Sequence, residues 1–345
     1  MQSRLLAHGD FLNLSRFSPD LVYAQTFRLT SGVSANIIAP GIVQFMPPEI
    51  DDAGKFIVLS SGIHGNETAP IEICDNFVKQ IFTGALVPVF PVLFVFGNLP
   101  AMAIAERFVE ENMNRLFSGA HSQSDTAPNA ERIRAKQLEE AVAAFFALSS
   151  PSSTRLHYDL HTAIKESKNE KFAVYPFLHD KPYSLEQIGF LQACGVNTIL
   201  LSESPTTTFS YFSSRQFGAH AFTVELGKVR PFGQNDMCRF NDARNALLSL
   251  MCDRNVAYTV QKDTLELFRV NQVINRTTEN FTLHFDASTP NFAGFSKGES
   301  LASDGEKAYL AEYDGEAIVF PNANVALGQR ALLTVVPTKL EDLHV

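Results

Sequence analysis

The stretch Phe56-Ile57-Val58-Leu59, followed by Ser60-Ser61-Gly62-Ile63-His64-Gly65-Asn66-Glu67-Thr68-Ala69-Pro70, constrains the fold more than any other part of the chain. A continuous apolar run of this kind reads as a strand buried on both faces, as in parallel sheets covered by helices. It stops at a Ser/Gly turn. Pro70 then suits the first turn of a helix, where a missing N–H costs nothing. Ile71, Cys74, Phe77, Val78 and Ile81 recur on one stripe, so a helix is expected over 69–82. Such a strand-turn-helix unit puts its turn outside the carboxyl end of the strand, where open α/β sheets bind ligands. His64 and Glu67 occupy that turn.

The chain continues in the same manner. Residues 91–96 form a second apolar strand ended by Gly97-Asn98-Leu99-Pro100, and 131–148 an amphipathic helix. Residues 156–160 read as a short strand, 184–194 as a helix, 197–201 and 221–226 as strands, and 240–254 as a helix. Upstream, 26–38 and 42–45 suggest strands of a lead-in sheet, while the Ser/Gly/Asp/Pro-rich residues 118–130 read as a loop. Alternating helices and apolar strands indicate an α/β sheet flanked by helices. After residue 262 the texture changes to short strands with Gly and Asn turns, at 268–274, 281–285, 317–320 and 331–336. The expected division is therefore an α/β domain over 1–262 and a small β-rich domain over 263–345.

Length and charge narrow the function. A chain of 345 residues can bury a large core, and 45% hydrophobic with 19% charged residues is ordinary for a globular protein. The net charge of −9 argues against nucleic acid as a partner, and an anionic substrate would need locally placed positive charge. No apolar run approaches the ~20 residues of a membrane span, and Met1 to Asp10 lacks the apolar core of a signal peptide. Cys74, Cys194, Cys238 and Cys252 show no paired metal spacing, so reduced thiols and a cytoplasmic location are expected.

His161, in Tyr158-Asp159-Leu160-His161-Thr162, again puts an imidazole at the carboxyl end of a strand. With His64 and Glu67 it makes three ligands and leaves one coordination position open, the pattern of a catalytic zinc site. Asp159 shares the strand face of His161 and is expected to hold the second nitrogen of His64. His157, four strand residues from His161, is ~13 Å away and too far to share the metal. Glu225, in Thr223-Val224-Glu225-Leu226-Gly227, is a carboxylate at the end of an apolar strand, suited to take a proton from water and pass it to a leaving amine. Arg107, Arg115 and Arg215 lie in loop or turn contexts after strands, and arginine's planar fork suits carboxylates.

Taken singly, these residues have plainer readings. His64 and Glu67 alone would be a turn histidine and a glutamate at a helix N-terminus, Glu225 a salt-bridged strand end, and each arginine a solvated charge. Gly294-Phe295-Ser296-Lys297-Gly298 matches G-x-S-x-G, but it sits in the β-rich tail with no helix after it and reads as a turn. No G-x-G-x-x-G or phosphate loop occurs, so nucleotide chemistry is not indicated.

Together the motifs resemble the aspartoacylase/succinylglutamate desuccinylase family of zinc amidohydrolases, which is related in fold to zinc carboxypeptidases. Gly62-Ile63-His64-Gly65-Asn66-Glu67-Thr68-Ala69-Pro70 is similar to the first metal motif of its desuccinylase branch, and Asp159-Leu160-His161-Thr162-Ala163-Ile164 to the second. Glu225-Leu226-Gly227-Lys228 and Pro231-Phe232-Gly233-Gln234-Asn235-Asp236 resemble its catalytic-glutamate region. The likeness runs over residues 56–240.

The resemblance implies a zinc-carboxypeptidase-like mixed sheet flanked by helices, followed by a small C-terminal β domain. It also implies one Zn²⁺ per chain on His64, Glu67 and His161, with Glu225 as general base and Arg107 polarising the scissile carbonyl. Asn114 and Arg115 match the pair that grips a substrate carboxylate. Tyr211 and Arg215 match the spacing of a further carboxylate contact. Asn112 stands where the family has Asp before Met-Asn-Arg, a loss of charge expected to bear on Arg115 and to leave the metal site untouched. The activity implied is hydrolysis of a small anionic N-acyl amino acid, N-succinyl-L-glutamate, in arginine catabolism by the succinyltransferase route. Another acyl amino acid such as N-acetylaspartate, a peptide C-terminus, or a non-catalytic zinc protein on the same scaffold stay open.

Overall fold

Apolar strands buried on both faces set the architecture, seen in a computed structural model that describes residues 1–123 and 127–345. Helices α1 (Gln2–His8) and α2 (Phe11–Phe17) precede an antiparallel meander of β1 (Gln25–Arg28), β2 (Ser34–Ala39) and β3 (Ile42–Met46). The α/β part follows: β4 (Lys55–Ser61), α3 (Thr68–Phe82), β5 (Val92–Phe96), α4 (Leu99–Ala103), α5 (Ala130–Phe146), β6 (Thr154–Ala163) and β7 (Phe172–Tyr175). It continues through α6 (Leu185–Ala193), β8 (Thr198–Leu201), α7 (Phe209–Phe217), β9 (His220–Lys228) and α8 (Asn241–Cys252).

The C-terminal part is a small β domain made of β10 (Glu266–Asn275), β11 (Phe281–Leu283), β12 (Ala293–Phe295), β13 (Ser300–Asp304), β14 (Lys307–Leu310), β15 (Glu316–Val319) and β16 (Arg330–Thr338). One sheet of 13 strands runs β1-β2-β3-β5-β4-β6-β9-β7-β8-β10-β16-β15-β12, and β11-β13-β14 form a second. Strands β5, β4, β6 and β9 at its centre are mutually parallel, and β7 runs antiparallel to β9.

Side chains alternate across this centre as the pleat requires. Ile57 and Leu59 join Ile71, Phe77 and Ile81 of α3 on one face. Phe56 and Val58 meet Leu138, Val142 and Phe145 of α5 on the other. The β domain is stitched to the α/β sheet by parallel pairing of β8 with β10, and Ile274, Leu301, Ile318 and Leu332 form its own core. No helix among the described residues is long and apolar enough to cross a membrane.

Several elements differ from expectation. The strand expected at 156–160 spans ten residues, because the polar residues flanking that run are satisfied inside the protein: Arg155 donates to Ser149 Oγ at 2.7 Å and to the Phe217 carbonyl at 3.1 Å, and the Thr162 amide donates to Glu67 Oε2 at 3.2 Å. Residues 26–38 are two strands separated by a turn with Gly32 at φ +88°. Helix α7 appears where loop was expected; Thr208 caps its start and Gly218, at φ +64°, ends it. Within 118–130, Ala120–Ser122 form a 3-10 turn, and 124–126 lie outside the described residues.

Candidate active site

Strand β4 delivers its turn through two glycines. Gly62 takes φ +66°, and a Cβ on Gly65 would fall 2.2 Å from the Ala101 carbonyl carbon, so only glycine lets the turn lie against α4. That path turns His64 inward, with Glu67 at the N-cap position of α3 and its carboxylate turned to the histidines rather than to the helix amides. His64 Nδ1 lies 2.8 Å from Glu67 Oε1, and β6 brings His161 Nδ1 to 2.8 Å from Glu67 Oε2. Arg107 Nη1 donates to Glu67 Oε1 at 2.6 Å, and the Thr162 amide donates to Oε2 at 3.2 Å. All three candidate ligands are buried, and their ligand atoms lie within 4.8 Å of one another. Burial pushes the Glu67 carboxyl up, but His64 and His161 outweigh it and hold the group well below the usual carboxylate range.

The outer nitrogens of both rings are also held. His161 Nε2 lies 2.8 Å from Asp159 Oδ2, and Ser60 Oγ donates to Asp159 Oδ1 at 2.5 Å. His64 Nε2 lies 2.9 Å from Asn112 Oδ1, which also accepts the Asn114 amide at 3.1 Å. Fixing the outer nitrogen selects Nδ1 as the inward-facing atom on each ring. Two imidazole nitrogens and a carboxylate oxygen, so oriented, can hold a metal ion.

Two expectations are corrected here. Asp159 holds His161, not His64: it is two residues away on the same strand face, whereas the far nitrogen of His64 faces the loop carrying Asn112. For the same reason Asn112 does bear on the metal-ligand group, since its side chain is what orients His64.

Glu225 enters from β9 as the Cα register partner of His161. It is buried, and its Oε2 makes no hydrogen bond within the protein. Burial, then the charge of Glu67, raises its carboxyl to about 7. These residues open onto a cavity of about 1310 Å³, lined also by Arg107, Asn114 and Arg115 and, from the β domain, by Val270, Asn275, Phe320 and Arg330. Asn114 is fixed by accepting the Phe209 amide at 3.1 Å, and Arg115 Nη1 donates to the Asn114 carbonyl at 2.8 Å.

Tyr211 and Arg215 are not brought to this cavity. Both lie on α7 rather than in a loop, and at i and i+4 they share a helix face directed elsewhere. Tyr211 Oη meets His179 Nε2 at 3.2 Å, and Arg215 is exposed in the last turn, where a cation complements the helix dipole. Arg330 was missed; an isolated arginine just before the apolar run 331–336 carries no signal of its own.

Residues 53–251 match the succinylglutamate desuccinylase/aspartoacylase catalytic domain, and 263–338 the AstE/AspA barrel-sandwich hybrid domain. The chain belongs to this family. Among its relatives, the succinylglutamate desuccinylase of Pseudoalteromonas atlantica is 56% identical over 98% of this chain and 97% of that protein. The crystal structure of the Chromobacterium violaceum succinylglutamate desuccinylase is 39% identical and superposes with TM-score 0.82, covering 96% of this chain and 98% of the other. The Vibrio cholerae enzyme, 34% identical over 97% of each chain, gives 0.86. Murine aminoacylase 3, at 18% identity and TM-score 0.55 over 82% of this chain and 95% of its own, shares the fold.

Proposed function

We propose that the protein hydrolyses the amide bond of N-succinyl-L-glutamate to succinate and L-glutamate, with one Zn²⁺ per chain held by His64, Glu67 and His161. The observation that carries this reading is the buried His64–Glu67–His161 group with Glu225 beside it, at the floor of a cavity lined by guanidinium groups. Family relatives that match nearly the whole chain bear the same activity in their names. The donor set of two imidazoles and one carboxylate suits zinc, which when bound supplies a Lewis acid for the carbonyl and acidifies water.

The protein's own groups do the rest. Glu225, with Oε2 free of protein partners, accepts a proton from the attacking water and returns it to the departing glutamate nitrogen. Arg107, beside Glu67 and lining the cavity, offsets the charge that develops on the oxygen of the scissile carbonyl. Asn114 and Arg115 grip a substrate carboxylate, with Asn114 pre-set by its bond to the Phe209 amide. Asp159 and Asn112 keep the two imidazoles in place.

The boundary between hydrolase domain and β domain falls at 262/263 in this reading, within the short 3-10 turn Lys262–Thr264 that links α8 to β10. Free Cys74, Cys194, Cys238 and Cys252 favour a reducing cytoplasmic setting, where the reaction would serve arginine catabolism by the succinyltransferase route.

The test is succinate release from N-succinylglutamate by zinc-loaded protein, run beside N-acetylaspartate and a chelator-stripped control. Metal-dependent release from the succinyl compound alone is expected. Turnover of N-acetylaspartate in its place would move the substrate assignment to the other branch.

A further inference from the structure

Arg330 is the first residue of β16 and reaches, from the β domain, the cavity that Arg115 also lines. Its guanidinium carbon lies over the Phe320 ring, 5.3 Å from its centre, a cation–π contact. Its Nε is buried without a hydrogen-bond partner. Among the described residues, no carboxylate forms an ion pair with either Arg330 or Arg115; the charged neighbours that act on them are other arginines. Burial and then Arg107 lower the Arg330 group to about 10, which still leaves it cationic at neutral pH. Arg115 is pushed down by burial and then by Arg330. Two half-buried, mutually repelling cations without an acid partner are costly unless an anion comes between them.

We propose that Arg330 and Arg115 close on the same substrate carboxylate from the two domains, making Arg330 a specificity-determining residue of the site. This rests on the reading of the substrate as N-succinyl-L-glutamate, which carries three carboxylates. Arg107 is engaged with Glu67, so Arg115 and Arg330 are the guanidiniums of the cavity lining that have no carboxylate partner among the described residues, free to receive one of the substrate's three. A carboxylate has two oxygens with about four lone-pair sites, enough to accept from two forks at once. One bound anion then relieves the repulsion at both guanidiniums. An arrangement with a separate carboxylate at each arginine would bring two anions close together instead.

The experiment compares the wild-type protein, R115Q, R330Q and R330K on N-succinylglutamate and on three analogues, each lacking one carboxylate. These are N-butyrylglutamate, N-succinyl-4-aminobutyrate and N-succinyl-2-aminobutyrate. On the full substrate, R115Q and R330Q should each lower kcat/KM about 10- to 100-fold, the range for a hydrogen bond to a charged group. R330K should recover part of the loss. On one analogue, and the same one for both arginines, the penalty should fall to about twofold or less. Penalties that vanish on different analogues, or an R330Q penalty equal on all four compounds, would overturn the shared site.

Should the wild-type protein hydrolyse none of the four compounds, the substrate reading falls. Arg330 is then judged by calorimetric titration of the zinc-loaded protein with glutarate. Binding weakened about tenfold by either substitution, and little further by both together, upholds the clasp. Absence of glutarate binding, or binding indifferent to R330Q, rejects it. Thermal melts show whether R330Q is folded, and R330K, which keeps the charge, stands in if it is not.

Discussion

His161 and Glu225 are register partners on the adjacent parallel strands β6 and β9, so a candidate metal ligand and a carboxylate with a free oxygen stand side by side at the same end of the sheet. A pairing set by backbone hydrogen bonds is stiffer than one between loops, and it separates the carboxylate's role from metal holding. Glu225→Gln should therefore keep about one zinc per chain while lowering turnover of N-succinylglutamate about 10²- to 10⁴-fold, the usual worth of a positioned general acid–base group. Metal analysis beside a succinate-release assay checks both halves. A variant that loses its zinc would give Glu225 a different role.

The same substitution should change the pH dependence of stability. In the metal-free protein the Glu225 carboxyl is raised from the ordinary 4.5 to about 7, chiefly by burial. The folded state thus binds this proton more tightly than the unfolded state, and the wild type loses stability as pH rises from 4.5 through 7. At one pKa unit per ~1.4 kcal/mol, the cost above pH 7 is about 3 kcal/mol. Metal-free Glu225→Gln should withstand urea better than the wild type at pH 8, with the advantage shrinking toward pH 4.5. An advantage that grows on acidification would reverse the sign and contradict the burial argument.

Asp159 and Asn112 each hold the outer nitrogen of one imidazole. Asp159→Asn replaces one of the two carboxylate oxygens that serve His161 and Ser60 by an amide donor and removes the negative charge, and Asn112→Ala removes the acceptor for His64. Each should weaken zinc affinity about 10- to 100-fold, as measured by competition with a chromophoric chelator. Because Asn112 Oδ1 also takes the Asn114 amide, Asn112→Ala should in addition raise KM, whereas Asp159→Asn should leave KM nearly unchanged once zinc is saturating.

Arg215 and Tyr211 supply the contrasting case. Arg215 is exposed on α7 and Tyr211 faces His179, away from the cavity. Arg215→Ala and Tyr211→Phe should both keep kcat/KM for N-succinylglutamate within about twofold, as surface or conservative changes do. A loss of tenfold or more for Arg215→Ala would require α7 to rearrange when substrate binds.

The sequence alone determined the α/β class, because its apolar runs and helical stripes are local patterns with periods of two and 3.6 residues that need no distant partner to be read. It also marked His64, Glu67, His161 and Glu225, since each sits where an apolar strand stops, and strand ends are legible. Polar residues at a strand's ends were harder: Arg155, His161 and Thr162 fell outside the stretch read as β6. Arg155 is nonetheless satisfied by Ser149 and the Phe217 carbonyl, and His161 and Thr162 by Glu67, a residue 94 or more positions away. Only the tertiary structure decided which group orients which histidine, that Asn112 belongs beside His64, and that α7 turns Tyr211 and Arg215 aside. Only it brings Arg330 from the β domain into the cavity that Arg115 lines. Those pairings depend on sheet register, helix rotation and domain packing, which arise from contacts far apart in the chain and leave no periodic trace within it.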